Sequence, residues 1–323
     1  MPPDSGASRP VLFLLAHATG SAFRYAELFP RLAAKARLAP LDLPGHGARR
    51  GEILLDSMDG IREDLARQAA EFLKVPATRE AAGPGAAPEV SVASEAPARG
   101  GAGRGGAFHG GGGQGDAPRA GGRGPELPEG AGQGDAPRAG GRGPELPGLG
   151  GQGKTPSGSR GVRYFVFGHS MGVVNGYVMT RRLMDMGLGA PERFFASSFS
   201  VPGWHPIPPG MPELPDLEMW QVSAERFGVL NGQPIPTPEQ MEIHSPVYRA
   251  DLRAVEGYRP GVPAPLPCPV TVVYAESDMV DSRLAGRWKG MTPFPPEIIR
   301  VPGGHFHPVE MPGRLEDIML ARI

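Results

Sequence analysis

The residues with the clearest chemical potential lie in the pentapeptide Gly168-His169-Ser170-Met171-Gly172. A serine in a G-x-S-x-G pattern is poised as a nucleophile when a strand ends just before it and a helix starts just after. The strained turn then lifts the hydroxyl clear of the backbone, and the flanking glycines avoid a steric clash. Both elements are expected here: Arg163–Phe167 reads as a strand and the residues from about Met171 to Met186 as a helix. The helix N-terminus adds backbone N–H groups and a positive dipole end near a developing oxyanion.

A serine hydroxyl needs a base, and the base needs a carboxylate to orient it. In this arrangement the chain order is serine, acid, histidine. Glu276, Asp278 and Asp281 follow the apolar run Val270–Ala275. Asp278 is the expected acid because it lies closer to the strand end, whereas Asp281 reads as the N-cap of the next helix. The base belongs after the run Ile298–Val301, where His305 and His307 are both candidates. His305 directly follows Gly303 and Gly304, which suits a tight loop aiming a ring at the serine. His307 is expected at the surface or behind the site. For the oxyanion hole, Met171 offers one backbone N–H, and Ala18, in the loop His17–Ala22, is expected to offer the second.

These residues need a scaffold, and the sequence outlines one. Val11–Ala16, Arg37–Leu43, Arg163–Phe167, Phe194–Ser198, Val270–Ala275 and Ile298–Val301 read as strands, the first an unbroken apolar run of the kind buried on both faces of a parallel sheet. Between them, Phe23–Lys35, Asp59–Leu73 and Met171–Met186 read as helices. This alternation predicts an α/β fold with a doubly wound, mostly parallel sheet. The Pro-rich stretch from about Gly203 to Tyr248 is expected to form a helical lid, with Trp204, Met219, Trp220 and Phe227 as candidates to line a channel or to fill the lid's own core.

The chain has 323 residues, and its 49 glycines and 39 prolines are unevenly spread. The expected organisation is one hydrolase domain in two parts, 1–76 and 161–323, separated by a disordered insertion at 77–160. QGDAPRAGGRGPELP occurs twice there, at Gln114–Pro128 and Gln133–Pro147. Such a segment holds too little apolar surface to offset its ordering entropy. Its Arg99–Gly106 stretch, RGGAGRGG, has no interleaved aromatics to stack on bases, so nucleic acid is not an expected partner. The formal net charge of -1 points the same way and away from an anionic membrane. Cys268 is the only cysteine and is expected to be a buried thiol. No apolar run approaches a membrane span or a signal-peptide core, so the expected location is cytoplasmic.

Several segments together resemble the stand-alone type II thioesterases that serve nonribosomal peptide and polyketide synthases. They include LLAHATGSAFRY, LDLPGHGAR, FGHSMGVVNGYVMTRRL, YRADLRAVEGYR, LPCPVTVVYAESDMV and VPGGHFH. The resemblance covers about three quarters of the chain and leaves out the insertion. One departure is His46, where the family usually carries arginine in LPGR. The resemblance implies an α/β-hydrolase fold and hydrolysis of acyl or aminoacyl thioesters on the phosphopantetheine arm of an acyl or peptidyl carrier protein. It implies no metal or cofactor. Arg24, Arg49 and Arg50 are candidate contacts for an acidic carrier. The competing readings are a small-molecule carboxylesterase or C–C hydrolase on the same fold, and a non-catalytic binding protein.

Overall fold

Unbroken apolar runs become the strands. The computed structural model describes residues 9–74, 162–230 and 234–323. In chain order the first elements are β1 (Val11–Leu15), α1 (Ala22–Leu28), β2 (Arg37–Pro40) and α2 (Met58–Lys74). Then follow β3 (Tyr164–His169), α3 (Met171–Asp185), β4 (Arg193–Ser197), α4 (Asp216–Phe227) and α5 (Pro238–Gly257). The chain ends with β5 (Val270–Ala275), α6 (Ser282–Gly286), β6 (Glu297–Val301), α7 (His307–Glu310) and α8 (Pro312–Leu320). The insertion expected at 77–160 lies outside the described residues.

The six strands pair in the order β2-β1-β3-β4-β5-β6 and every pairing is parallel. Alternate residues of a strand face opposite sides of the sheet, and each side has its own core. Val11, Phe13, Tyr164 and Val166 pack with Ile61 and Leu65 of α2 and Val173 of α3. Leu12, Leu14, Phe165 and Phe167 pack with Tyr25 of α1 and Met319 of α8. Each such fully buried side chain contributes about 1.5–3 kcal/mol of transfer free energy.

From β1 the chain first runs to β2 on one side and then resumes at β3 on the other. That reversal opens a crevice at the C-terminal ends of β1 and β3, where ligands bind in sheets of this kind. The loop beginning at His17 and the turn at Ser170 both lie there.

The strand expected at Arg37–Leu43 ends at Pro40, and two further boundaries change. The helix expected at Phe23–Lys35 is divided, because Pro30 opens a separate 3-10 turn, Pro30–Ala34. Proline brings no N–H and disfavours the helical conformation in the residue before it. The lid limit expected at Tyr248 falls inside α5, which starts in a Thr237/Gln240 capping box and continues through Pro246 to Gly257.

Gly172 sits against backbone with no room for a side chain. A Cβ there would meet the Leu15 carbonyl oxygen at 2.3 Å and the Ala16 oxygen at 2.7 Å. Neither partner is a side chain that can swing away. Gly172→Ala is expected to cost roughly 1–3 kcal/mol or more by overpacking. Gly257→Ala, which meets nothing within 4 Å, is expected to change stability by less than about 1 kcal/mol. Urea denaturation of the two variants measures both, and a Gly172→Ala protein as stable as wild type contradicts this account.

Candidate active site

Three strand ends bring three side chains together. Ser170 ends β3 and turns into α3 with φ 54° and ψ −123°. Such a backbone is costly for a residue other than glycine and persists only where its surroundings hold it. Here the Ser170 N–H donates to the Ser197 carbonyl at 2.8 Å. A Cβ at Gly168 would collide with the Gly172 carbonyl oxygen at 2.3 Å. Both glycines of the pentapeptide are therefore steric requirements of the turn.

The loops after β5 and β6 are tied to each other. Glu276 N–H donates to Val301 O at 2.9 Å, and Ser277 N–H donates to Gly303 O at 3.0 Å. Gly303 takes φ 92°, a conformation open to glycine. These bonds hold Asp278 and His305 in register. His305 Nδ1–H donates to Asp278 Oδ1 at 2.9 Å, and the Ser170 hydroxyl donates to His305 Nε2 at 3.0 Å. The Asp278 side chain is fully buried. Burial alone would raise its pKa, but the hydrogen bond and charge of His305, with hydrogen bonds from Ser198 and Val280, together outweigh it and hold the carboxyl below the usual range. Asp281 accepts from Arg283 N–H and Leu284 N–H as the N-cap of α6, and Glu276 pairs at 3.7 Å with exposed Arg300.

His307 is not at the surface: it is 2% exposed. The Ser197 hydroxyl bridges its Nε2 at 3.1 Å and His169 Nδ1 at 3.0 Å. His17 lies edge-on to His169, and its Nδ1 meets the Tyr25 hydroxyl at 2.8 Å. Burial holds His17 and His307 down to about 4 and pushes His169 well below its ordinary value. The rings packed behind His305 are therefore neutral near pH 7.

A cavity opens from Ser170 and His305. Ala18 and Met171 border it beside the serine, and Trp204, Trp220, Phe227, Leu252 and Val255 form much of its apolar wall. Met219 is instead fully buried among Met211, Trp220 and Met241. Of the arginines, Arg49 is engaged in ion pairs to Asp64 and Glu52, both at 2.6 Å. Arg24 is exposed and pairs with Glu27 at 3.1 Å, and Arg50 is exposed. Cys268 is buried, and burial pushes its thiol up to about 12. Among the described residues, no group of three or more His, Cys, Asp or Glu is placed to hold a metal ion, and no helix is long and apolar enough to cross a membrane.

One feature of the site is not marked by any motif in the sequence. Asp251 of α5 borders the cavity and is 1% exposed. Its Oδ2 accepts from Thr19 N–H at 2.7 Å and from His46 Nε2–H at 3.0 Å. The available signal was an acid on the apolar face of a helix, between Tyr248 and Leu252.

No protein-family model matches the chain. It is 31% identical over 146 residues to the human "S-acyl fatty acid synthase thioesterase, medium chain", a match covering 44% of this chain. The chain spans about half the length of that relative, 54% of it. Among solved structures, the type II thioesterase BorB from the borrelidin biosynthetic cluster superposes with a TM-score of 0.63 at 20% identity, covering 100% of this chain and 95% of BorB. RedJ, a thioesterase from the prodiginine pathway of Streptomyces coelicolor, gives 0.63 at 20% identity over 100% of this chain and 89% of RedJ. ClbQ from the colibactin pathway gives 0.61 at 18% identity, over 96% and 94%. The fold is that of an α/β-hydrolase. Within the α/β-hydrolase fold, Ser170 occupies the turn between strand and helix, and α4 and α5 are inserted between β4 and β5.

The buried imidazoles make stability depend on pH. Unfolded, they titrate near the ordinary 6.5, whereas His17 and His307 are held to about 4 in the fold. Between those values the unfolded chain binds more protons. The stability they contribute is present above pH 6.5 and is lost as the pH falls towards 4. For His307 alone this is about 3 kcal/mol. Urea midpoints at pH 7.5 and 4.5 are expected to differ less in His307→Gln than in wild type, and an equal drop in both proteins counts against the assignment.

Proposed function

We propose that the chain is a thioesterase that hydrolyses acyl or aminoacyl thioesters from the phosphopantetheine arm of a carrier protein. It would serve editing or release in nonribosomal peptide and polyketide synthesis in the cytoplasm. The observation that carries this reading is the hydrogen-bonded Ser170, His305 and Asp278 set at the end of an apolar cavity. The human thioesterase relative and the fold shared with BorB and RedJ support the choice of a thioester.

In this mechanism Ser170 Oγ attacks the thioester carbonyl as its proton passes to His305 Nε2. Asp278 keeps the ring oriented and stabilises the imidazolium. The Ala18 and Met171 N–H groups stabilise the tetrahedral oxyanion. The C–S bond breaks, and the thiol leaves with the proton from His305. A thiol pKa of about 8.5 makes it a good leaving group, so little acid assistance is needed. Water then gives a proton to His305 and its oxygen to the acyl carbon. The Ser170 ester bond breaks, the serine regains its proton and the acid is released. No metal or cofactor enters these steps. The phosphopantetheine arm would reach the serine through the cavity beneath α4 and α5, leaving the carrier docked outside.

Ser170→Ala is expected to lower turnover by roughly four orders of magnitude or more while the fold stays intact. His305→Ala is expected to fall comparably, and His307→Ala far less. A serine-directed phosphonate should label Ser170 alone in the wild type. To decide the substrate, kcat/KM is compared for a carrier thioester, a coenzyme A thioester and an oxygen ester of one acyl group. The expected order is carrier thioester first and oxygen ester last; a preference for the ester makes the chain a general carboxylesterase instead.

A further inference from the structure

We propose that Asp251 is a positioning residue for the oxyanion hole, holding the Ala18 loop from the helix that walls the acyl cavity. The proposal rests on the reading above, in which the Ala18 N–H is one of the two oxyanion donors.

The loop from His17 to Ser21 is a tight turn. Gly20 N–H donates back to His17 O at 2.9 Å, so Ala18 and Thr19 are its two central residues. The His17 carbonyl and the Ala18 N–H share one trans peptide plane and point in opposite directions. Closing the turn on the His17 carbonyl therefore aims the Ala18 N–H away from it. The cost falls on Thr19, which takes φ 64°. A turn with a left-handed third residue normally uses glycine or asparagine there, and a β-branched residue is a genuine outlier. Something outside the turn must hold Thr19 in place.

Asp251 is placed to do so. Its Oδ2 takes the Thr19 N–H at 2.7 Å, fixing the peptide plane that follows Ala18. His46 braces the same carboxylate oxygen. The His46 ring donates from Nε2 to Asp251 and faces the Pro44 carbonyl with Nδ1 at 3.1 Å. With an acceptor at each nitrogen, the imidazolium is the form that satisfies both contacts. The pair is 5% and 1% exposed at its side chains. Asp251 Oδ1 is buried with no donor among the described residues. A carboxylate retained only for stability is poorly placed here, since a well-packed apolar residue does as well or better than a buried ion pair. What an apolar residue cannot do is accept the Thr19 N–H.

The test compares wild type, Asp251→Ala and Asp251→Asn on whichever acyl ester or thioester the wild type turns over. Asp251→Leu stands in if the alanine variant does not fold. An alkyl trifluoromethyl ketone, which forms a tetrahedral oxyanion on the serine, provides a second readout. One oxyanion donor is worth about 10²–10³ in kcat. Partial loss of its aim is expected to lower kcat by roughly 10–100-fold with KM within about twofold. Affinity for the ketone should fall by the same factor, and Asp251→Asn, which keeps an acceptor for Thr19, should recover most of both. A folded alanine or leucine variant with kcat within threefold of wild type, an effect on KM alone, or no rescue by asparagine overturns the proposal. A wild type that favours the oxygen ester would overturn the thioesterase reading while leaving the variant ratios to decide this one.

Discussion

The contact of Gly172 with the backbone of β1 sets the geometry on which the site depends. With hydrogen in place of a side chain, the first turn of α3 can press on the Leu15 and Ala16 carbonyls. That approach places the N-terminus of α3 beside the end of β1. The Ser170 turn and the His17–Ser21 loop then border one crevice, lined by both Met171 and Ala18. Were the helix displaced by the width of a methyl group, the two residues would part, and the strained Ser170 backbone would have no reason to persist. The parallel sheet contributes the rest: β5 and β6 end on the same edge, and their loops deliver Asp278 and His305 to the serine.

Charge is managed around that geometry by burial. In the proposed mechanism His305 would carry a proton during turnover, and a second cation at its back would oppose this. His17, His169 and His307 pack around it as neutral rings, kept so chiefly by desolvation. Asp278 supplies the one buried negative charge in contact with His305. Around Asp251 the logic reverses. There burial would make His46 neutral, but its bonds to Asp251 and the Pro44 carbonyl outweigh desolvation and raise its pKa. Two histidine environments of opposite sense thus flank one turn. One surrounds His305 with neutral rings, and the other holds a carboxylate against Thr19.

Much of this was legible in the sequence because it is local. A continuous apolar run ending at a glycine or a polar turn marks a buried strand, and all six expected strands are present. The nucleophile, acid and base candidates were found by their distance from strand ends, and Ser170, Asp278 and His305 do meet. What stayed hidden depends on long-range partners. His46 and Asp251 are 205 positions apart, and nothing near either residue announces the other. Arg49 reads as a surface cation until its carboxylate partners on the loop and on α2 are known. Met219 and Trp220 are neighbours in sequence, yet Trp220 borders the cavity and Met219 only the core of the α4–α5 layer. The break at Pro30 was visible, but the helical spacing of the apolar residues around it masked a proline that could not continue the helix.

The division between α/β scaffold and inserted helices also explains where substrate choice must reside. The serine, histidine and carboxylate are common to hydrolases that cleave thioesters and oxygen esters alike, and fold does not separate those activities. In this chain the cavity walls away from the triad come largely from 204–255, a stretch outside the sheet. Those walls are apolar except where Asp251 borders the cavity, beside the oxyanion loop. In the proposed reading the same helix shapes the space for the acyl group and steadies the turn that would stabilise its transition state. A change of lid sequence that altered the first would disturb the second unless an acceptor for Thr19 were kept. On that reading the coupling would constrain how far the cavity can be remodelled without loss of turnover.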